Sequence, residues 1–507
     1  MSWGVRMKSA ARNFRSPSAV LLCLLLVAGL MIDGTTPACA QDRRPPRPQG
    51  FGSSNSSNDG FDGRDVGIGL GIGLGIGALG LILHQATNPP EQPGGGPPLT
   101  PLNPPPGNPS GNPEPHHVSR VLHHHNIATK PPSGQFVPDE VIVEFSASTS
   151  PEAIDRFEHH YKLAPRESED FPLIGTKLYR LHILGRRSVP GMVDALQNVN
   201  VVARVQPNYF FILQQDAAPS EPQGDSSQYV LDKLQIKEAH RLATGKGIRV
   251  AVIDSDIDGT HPDLNGAIAK SFDALGGTIK PHKHGTAMAG AIAARGKLLG
   301  IAPGAELLAE RAFGETSGAA KGTSFSLYKS LQWAADNDAR IVNMSFAGPQ
   351  DPFLHRLLTA AFGKDMVLVA ASGNAGPSSA PLYPAADPDV IAVTATDGDD
   401  KLLPEANRGA YVAVAAPGVD ILALAPDQAY DLTTGTSVAA AHVSGIAALL
   451  LERKPSLKPS DVRAILAASA KPLGPHAEFG AGLVNAYRAV MQVSSKSAGD
   501  PKEQAGK

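Results

Sequence analysis

The sequence predicts an α/β protein. Its main domain is a parallel sheet with helices on both faces, preceded by a small α+β domain and a long N-terminal region with no folded core. Three observations predict it. From residue 249 onward, short apolar or β-branched runs alternate with helical segments, the pattern of strands connected by crossover helices. The first run, Gly247-Ile248-Arg249-Val250-Ala251-Val252-Ile253-Asp254-Ser255, is a buried parallel strand ending in a carboxylate. Near the C-terminus, small hydroxyl and Gly residues from Thr434 run into a helix that is apolar all round to Leu451, and such a helix must be buried.

With 507 residues the chain exceeds one average domain, and 52 Gly and 44 Pro place part of it outside any packed core. A net charge of −3 carries no signature of nucleic-acid binding. Residues 1–40 read as a secretory signal. Arg6, Lys8, Arg12 and Arg15 precede an apolar core from Ala19 to Ile32, and Ala38-Cys39-Ala40 offers a cleavage site before Gln41. Both cysteines, Cys23 and Cys39, fall inside it, so the processed chain has neither disulfide nor thiol catalyst. Export to the medium, periplasm or cell envelope is expected.

Residues 41–135 are low in complexity, with a Pro-rich spacer from Asn88 to Pro115. Within them, 66–83 is uncharged and Gly-rich, long enough to cross a bilayer or to self-associate. A crossing after a cleaved signal would return the rest of the chain to the cytoplasm, so a mobile low-complexity segment stands beside that reading. His116-His117 and His123-His124-His125 have no Cys or acidic ligands at fixed spacing and read as solvated.

Residues 136–213 form the small domain. The spacing predicts a strand over 140–145, a helix from Pro151 to Tyr161 opened by Ser150, a strand over 177–183, a helix over 189–196 and a strand over 201–205. Residues 214–228 are an exposed linker suited to cleavage. The main domain spans 229–492, with a last helix over 461–469, and 493–507 read as a polar, disordered tail.

The chemistry gathers in the main domain. Ser437 sits at the entrance of the buried helix, where free N–H groups and the positive dipole end favour a developing negative charge. Alone it would read as a helix cap. Two other segments change that reading: Asp254 ends a strand, and His284 opens the small-residue helix His284-Gly285-Thr286-Ala287-Met288-Ala289-Gly290. A serine becomes a good nucleophile when a His takes its proton and an Asp orients the His. His442, on the same buried helix as Ser437, reads as a packed structural histidine.

Four segments, "VAVIDSDID", "HGTAMAG", "AASGN" and "TGTSVAAAHVSG", occur in this order, and over Tyr229 to Val490 the chain resembles the subtilisin-type serine proteases, the subtilases. The resemblance implies the subtilisin-like fold and a serine endopeptidase acting on protein or peptide substrates. It assigns Ser437 as nucleophile, His284 as general base and acid, and Asp254 as orienting carboxylate. Asn374 takes the place of the oxyanion-hole amide. Ser345, Phe346, Ala347 and Gly348, with Ser372, Gly373 and Leu382, take the place of the substrate-binding segments. The small domain resembles the family's ferredoxin-like propeptide, an intramolecular inhibitor whose tail fills the cleft until self-cleavage between about Leu213 and Tyr229.

The chain departs from the family at several positions. Asp256 stands where Gly is usual, asking Asp to accept a turn that Gly takes freely. Ala347 and Leu382 replace Gly in the specificity pocket, which predicts a small residue, such as Ala, before the cut bond. The loop Arg295-Gly296-Lys297-Leu298-Leu299 is short and has no side-chain oxygen, so the tight calcium site many secreted subtilisins build there is not expected, and no cofactor or metal is called for. The opposing reading is a non-catalytic surface or assembly protein that uses a subtilase-like scaffold for binding. Intact Asp254, His284, Asn374 and Ser437 argue against it.

Overall fold

The computed structural model describes residues 135–214, 228–278, 280–316 and 319–497. The signal, the 66–83 segment, the Pro-rich spacer, the histidine clusters and most of the 214–228 linker lie outside the described residues, as does the tail beyond 497. Among the described residues no helix is long and apolar enough to cross a membrane.

The small domain folds as β1 (Phe136–Phe145), α1 (Pro151–Tyr161), β2 (Leu163–Phe171), β3 (Thr176–Ile183), α2 (Val189–Leu196) and β4 (Val202–Leu213). Its antiparallel strands lie in the order β2-β3-β1-β4, the split β-α-β arrangement. Ser150 opens α1 by accepting from the Ala153 N–H, and Ser188 caps α2 in the same way through Gly191. Sequence reading missed β2. Arg166, Glu167, Ser168, Glu169 and Asp170 give that edge strand no apolar run, and only its ends, Leu163 and Phe171, are buried. It also stopped the last strand near 205. β4 instead continues through Asn208 to Leu213 as a 12-residue strand.

The main domain holds a seven-stranded parallel sheet. Its strands are β5 (Arg249–Asp254), β6 (Ile268–Asp273), β7 (Glu306–Arg311), β8 (Ile341–Met344), β9 (Val367–Ala371), β10 (Val390–Thr396) and β11 (Val412–Pro417). They lie in the order β11-β10-β9-β8-β5-β7-β6. Successive residues of β5 point into different cores. Val250 and Val252 pack on one face with α3 (Lys283–Ala293) and α6 (Thr436–Arg453). Ala251 and Ile253 pack on the other with α4 (Ser324–Asp336) and α5 (Pro352–Gly363). Both faces are therefore covered, which is why the strands read as unbroken apolar runs.

Residues 436–451 of α6 are all buried, as their composition requires. α7 (Pro459–Ser469) is not the last helix. α8 (Ala486–Ser497) follows, and its Ala489, Val490 and Val493 are buried, so packing continues past residue 492. The Ile268–Asp273 edge strand and the hairpin Ile421–Ala425/Ala429–Thr433 were also unread, being short and partly exposed.

The two domains share one core. Leu178, Leu181 and Phe171 of the small sheet cluster with Tyr328 and Phe353 of α4 and α5. Beyond this contact, the end of β4 leaves its own sheet and pairs antiparallel with Ala319–Thr323 on one side and Phe346–Ala347 on the other.

Candidate active site

Parallel sheets of this kind present their sites at the carboxyl ends of the strands. β5 delivers Asp254 there, with no exposed surface. Its Oδ1 accepts from three donors: the Ser255 N–H at 2.7 Å, the Ser255 hydroxyl at 3.1 Å and His284 Nδ1 at 2.8 Å. Because a carboxylate only accepts, Nδ1 carries the hydrogen, and in neutral His284 the Nε2 lone pair is the basic one.

His284 is held by the start of α3. His282 occupies the cap position, its Nδ1 accepting from the His284 N–H at 3.2 Å and lying 3.1 Å from the Ser255 hydroxyl. The Gly285 N–H donates to Ser255 Oγ at 3.0 Å. A Cβ on Gly285 would lie 2.4 Å from the Ser255 carbonyl oxygen, so only glycine lets the helix approach β5 this closely.

Ser437 is the second residue of α6, 2% exposed. Gly435 occupies the cap position and no side chain caps this helix, so Ser437 is not a helix cap. Its hydroxyl donates to the Ser345 carbonyl at 3.2 Å and lies 3.5 Å from the Gln214 carbonyl oxygen.

Asn374 follows β9. Its Oδ1 accepts from the Thr436 N–H at 3.1 Å and the Thr436 hydroxyl at 2.8 Å, which fixes which way the amide faces. Nδ2 lies 2.9 Å from where a Gly435 Cβ would stand, so Gly435 leaves room for the amide beside Ser437.

Of the predicted substrate segments, Ser345 is buried, with its hydroxyl donating to the Ser437 carbonyl at 3.2 Å. Phe346 and Ala347 pair with Leu213 and Ile212, and Gly348 exchanges backbone hydrogen bonds with Tyr383. Gly373, at φ +109°, has Asn407 and Leu382 against the place of its absent Cβ. Ser372 is buried at the end of β9, its N–H bonded to Val393.

The residue whose carbonyl faces Ser437 is Gln214, whose Oε1 accepts from the Asn374 N–H at 2.8 Å.

Asp258 accepts from Thr260 and the Asp427 N–H, bonds that outweigh burial and hold its carboxyl below the usual range. Burial raises Asp256, against the pull of Arg311. Asp256 does not adopt a positive φ, so the expected backbone strain is absent: this turn suits an L side chain. His442 bonds the Pro417 carbonyl at 2.9 Å, and burial pushes it down to about 4, which keeps it neutral.

Sequence reading missed Ser255, His282 and Thr436, which hold the others, and Gln214. Among the described residues no three His, Cys, Asp or Glu side chains gather as a metal site. At the short loop, Asp263 Oδ1 accepts from the Lys297 N–H at 2.8 Å and Oδ2 from the Leu298 N–H at 2.7 Å.

Residues 245–482 match the model of the subtilase family. Subtilisin BL of Lederbergia lenta is 37% identical over 265 residues, covering 51% of this chain and 97% of that protein. Thermitase of Thermoactinomyces vulgaris is 35% identical over 282 residues, 54% of this chain and 99% of that one. The thermophilic serine proteinase of Bacillus sp. (strain AK1) is 32% identical over 369 residues, 70% of this chain and 88% of that one. The crystal structure of fervidolysin from Fervidobacterium pennivorans, a keratinolytic enzyme related to subtilisin, shares the fold. Its TM-score is 0.62 at 24% identity, over 71% of this chain and 62% of that one. Identity at this level across nearly the whole of subtilisin BL and thermitase establishes that the chain belongs to the subtilase family and is a serine-type endopeptidase.

Proposed function

We propose that this endopeptidase is exported and made as a self-processing zymogen, with Ser437, His284 and Asp254 as its catalytic triad. Ser437 Oγ attacks the substrate carbonyl while His284 Nε2 takes its proton. Asp254 holds the ring in the right tautomer and stabilises the imidazolium. The Asn374 amide and the Ser437 N–H receive the oxyanion. The amine leaves with the proton from His284, and water then releases the acyl group by the same steps in reverse.

Residues 136–213 act as the propeptide, bound to α4 and α5 with β4 lying in the cleft as an added strand. Residues 1–40 direct export, and no cofactor takes part. The observation that carries the reading is the approach of the Gln214 carbonyl to Ser437 Oγ, 3.5 Å, beside the buried Asp254–His284 pair.

Expression of the full chain beside Ser437→Ala tests it. Wild type should shorten itself, react with a serine-directed phosphonofluoridate and appear outside the cytoplasm. The variant should stay full length and unlabelled. Identical full-length, unlabelled bands from both would overturn the assignment.

A further inference from the structure

The register of β4 singles out one residue. Phe210, Phe211 and Ile212 pair with Thr323, Gly322 and Lys321 on one edge, while Ile212 and Leu213 pair with Ala347 and Phe346 on the other. A strand held on both edges cannot slip, because a one-residue shift would turn every side chain to the opposite face. Phe211 and Leu213 point inward, 0% and 1% exposed, and Ile212 points outward at 37%.

Phe211 fills a pocket shaped for an aromatic ring. It lies edge-on to Phe346, with centroids 6.0 Å apart. A Cβ on Gly348 would come within 2.4 Å of its ring, so residue 348 must lack a side chain for the ring to fit. Three residues on, the same ladder presents the Gln214 carbonyl to Ser437 Oγ. The Gln214 side chain is also read: its Oε1 takes the Asn374 N–H at 2.8 Å, and its Nε2 folds back to within 3.5 Å of the Ile212 carbonyl oxygen.

We propose that Gln214 is the residue before the self-cleaved bond, and that the site selects a neutral side-chain amide there through the Asn374 backbone N–H. The favoured substrates are then extended segments with glutamine before the cut bond. This rests on the zymogen reading above. In the reaction Ser437 Oγ bonds the Gln214 carbonyl carbon, the bond to the following nitrogen breaks, and that nitrogen leaves as an amine with the serine proton. Water then releases Gln214 as a free carboxylate.

The chemistry separates glutamine from its neighbours in size. Methionine matches its length and offers the Asn374 N–H no good acceptor. Glutamate sets a charge against the Ile212 carbonyl, and alanine does not reach.

The test has two arms. Intact-mass analysis of wild-type full chain should show a fragment ending at Gln214 and a mature chain beginning at Gln215, free or cyclised to pyroglutamate, with neither in Ser437→Ala. Mature enzyme should cleave peptides Phe-Ile-Leu-X-Gln with kcat/KM highest for X = Gln, about tenfold above Met, and lower still for Ala and Glu.

Self-cleavage only at another bond would overturn the Gln214 assignment and leave the zymogen reading standing. Equal or faster turnover with Met or Ala would overturn the amide selection. A wild-type chain that takes the phosphonofluoridate label and never shortens would overturn self-processing itself.

Discussion

Gln206, on β4 of the small domain, donates through Nε2 to the buried Asp351 carboxylate at 3.0 Å, and its Oε1 accepts the Phe353 N–H at 3.2 Å. It thus serves both the cap residue of α5 and one of that helix's orphan donors. Asn208 serves one orphan donor of α4, accepting the Phe325 N–H at 3.3 Å, and donates to Glu140 on β1 at 2.7 Å. The strand that pairs with Phe346–Ala347 is also the strand that closes two helix ends.

Replacing Gln206 with Leu should weaken this junction by about 1–3 kcal/mol, because buried donor and acceptor groups lose their partner. In the full chain the lag between self-cleavage and the appearance of activity should shorten, and Ser437→Ala/Gln206→Leu should melt below Ser437→Ala. An unchanged lag would mean that the interface strength lies in the apolar contacts around Phe171 and Tyr328.

Glu310 on β7 is 1% exposed, and burial raises its carboxyl well above the usual value of 4.5, against the pull of the Ser330 hydroxyl. Between the unfolded and folded values the folded protein holds a proton that the unfolded chain has released. Stability therefore falls as pH rises through that interval, by up to about 1.4 kcal/mol per pH unit. Glu310→Gln should remove this slope, so the variant should gain in Tm over its parent between pH 5 and pH 8. Parallel melting curves across that range would overturn the account.

The Asp263 carboxylate clasps the loop after α3 through Lys297 and Leu298, with the Tyr430 hydroxyl 3.3 Å from Oδ2. The Gln228 side chain closes the other side, accepting from the Leu299 N–H and donating to its carbonyl. Protein donors already occupy the acid where a cation would need its oxygens. Chelator should leave Tm unchanged, and Asp263→Ala should cost about 2–4 kcal/mol. Gly296→Ala should also destabilise, since its Cβ would meet Asp263 Oδ1 at 2.2 Å. A fall of several degrees with EDTA would place a bound cation in the fold.

What was legible in the sequence was whatever one segment decides alone. An apolar run ending in Asp254 and a helix with no polar face announce their burial, and both lie where that pattern requires. β2 was missed because its stability comes from pairing with β3 rather than from its own Arg166-to-Asp170 run. Gln214 looked like linker because its role is set by the register of β4 against two segments more than 100 residues away. The residues supporting the site have the same origin. Ser255 and His282 meet only when α3 docks on β5, and no local pattern marks a threonine as the partner of an asparagine 62 positions earlier.

That threonine, Thr436, gives the sharpest test of the oxyanion assignment. Its hydroxyl donates to Asn374 Oδ1 at 2.8 Å and accepts the Gly373 N–H at 3.2 Å, so it orients the amide from behind without facing substrate. Asn374→Ala removes the proposed donor, and kcat should fall about 10²–10³-fold, the size known for this donor in subtilisin itself. Thr436→Val keeps the donor and loosens its aim, so kcat should fall about tenfold, with KM nearly unchanged because the lost interaction belongs to the transition state. The double variant should be no slower than Asn374→Ala, since an amide that is gone cannot be misaimed. Multiplying losses would separate Thr436 from Asn374 and return it to a purely structural role.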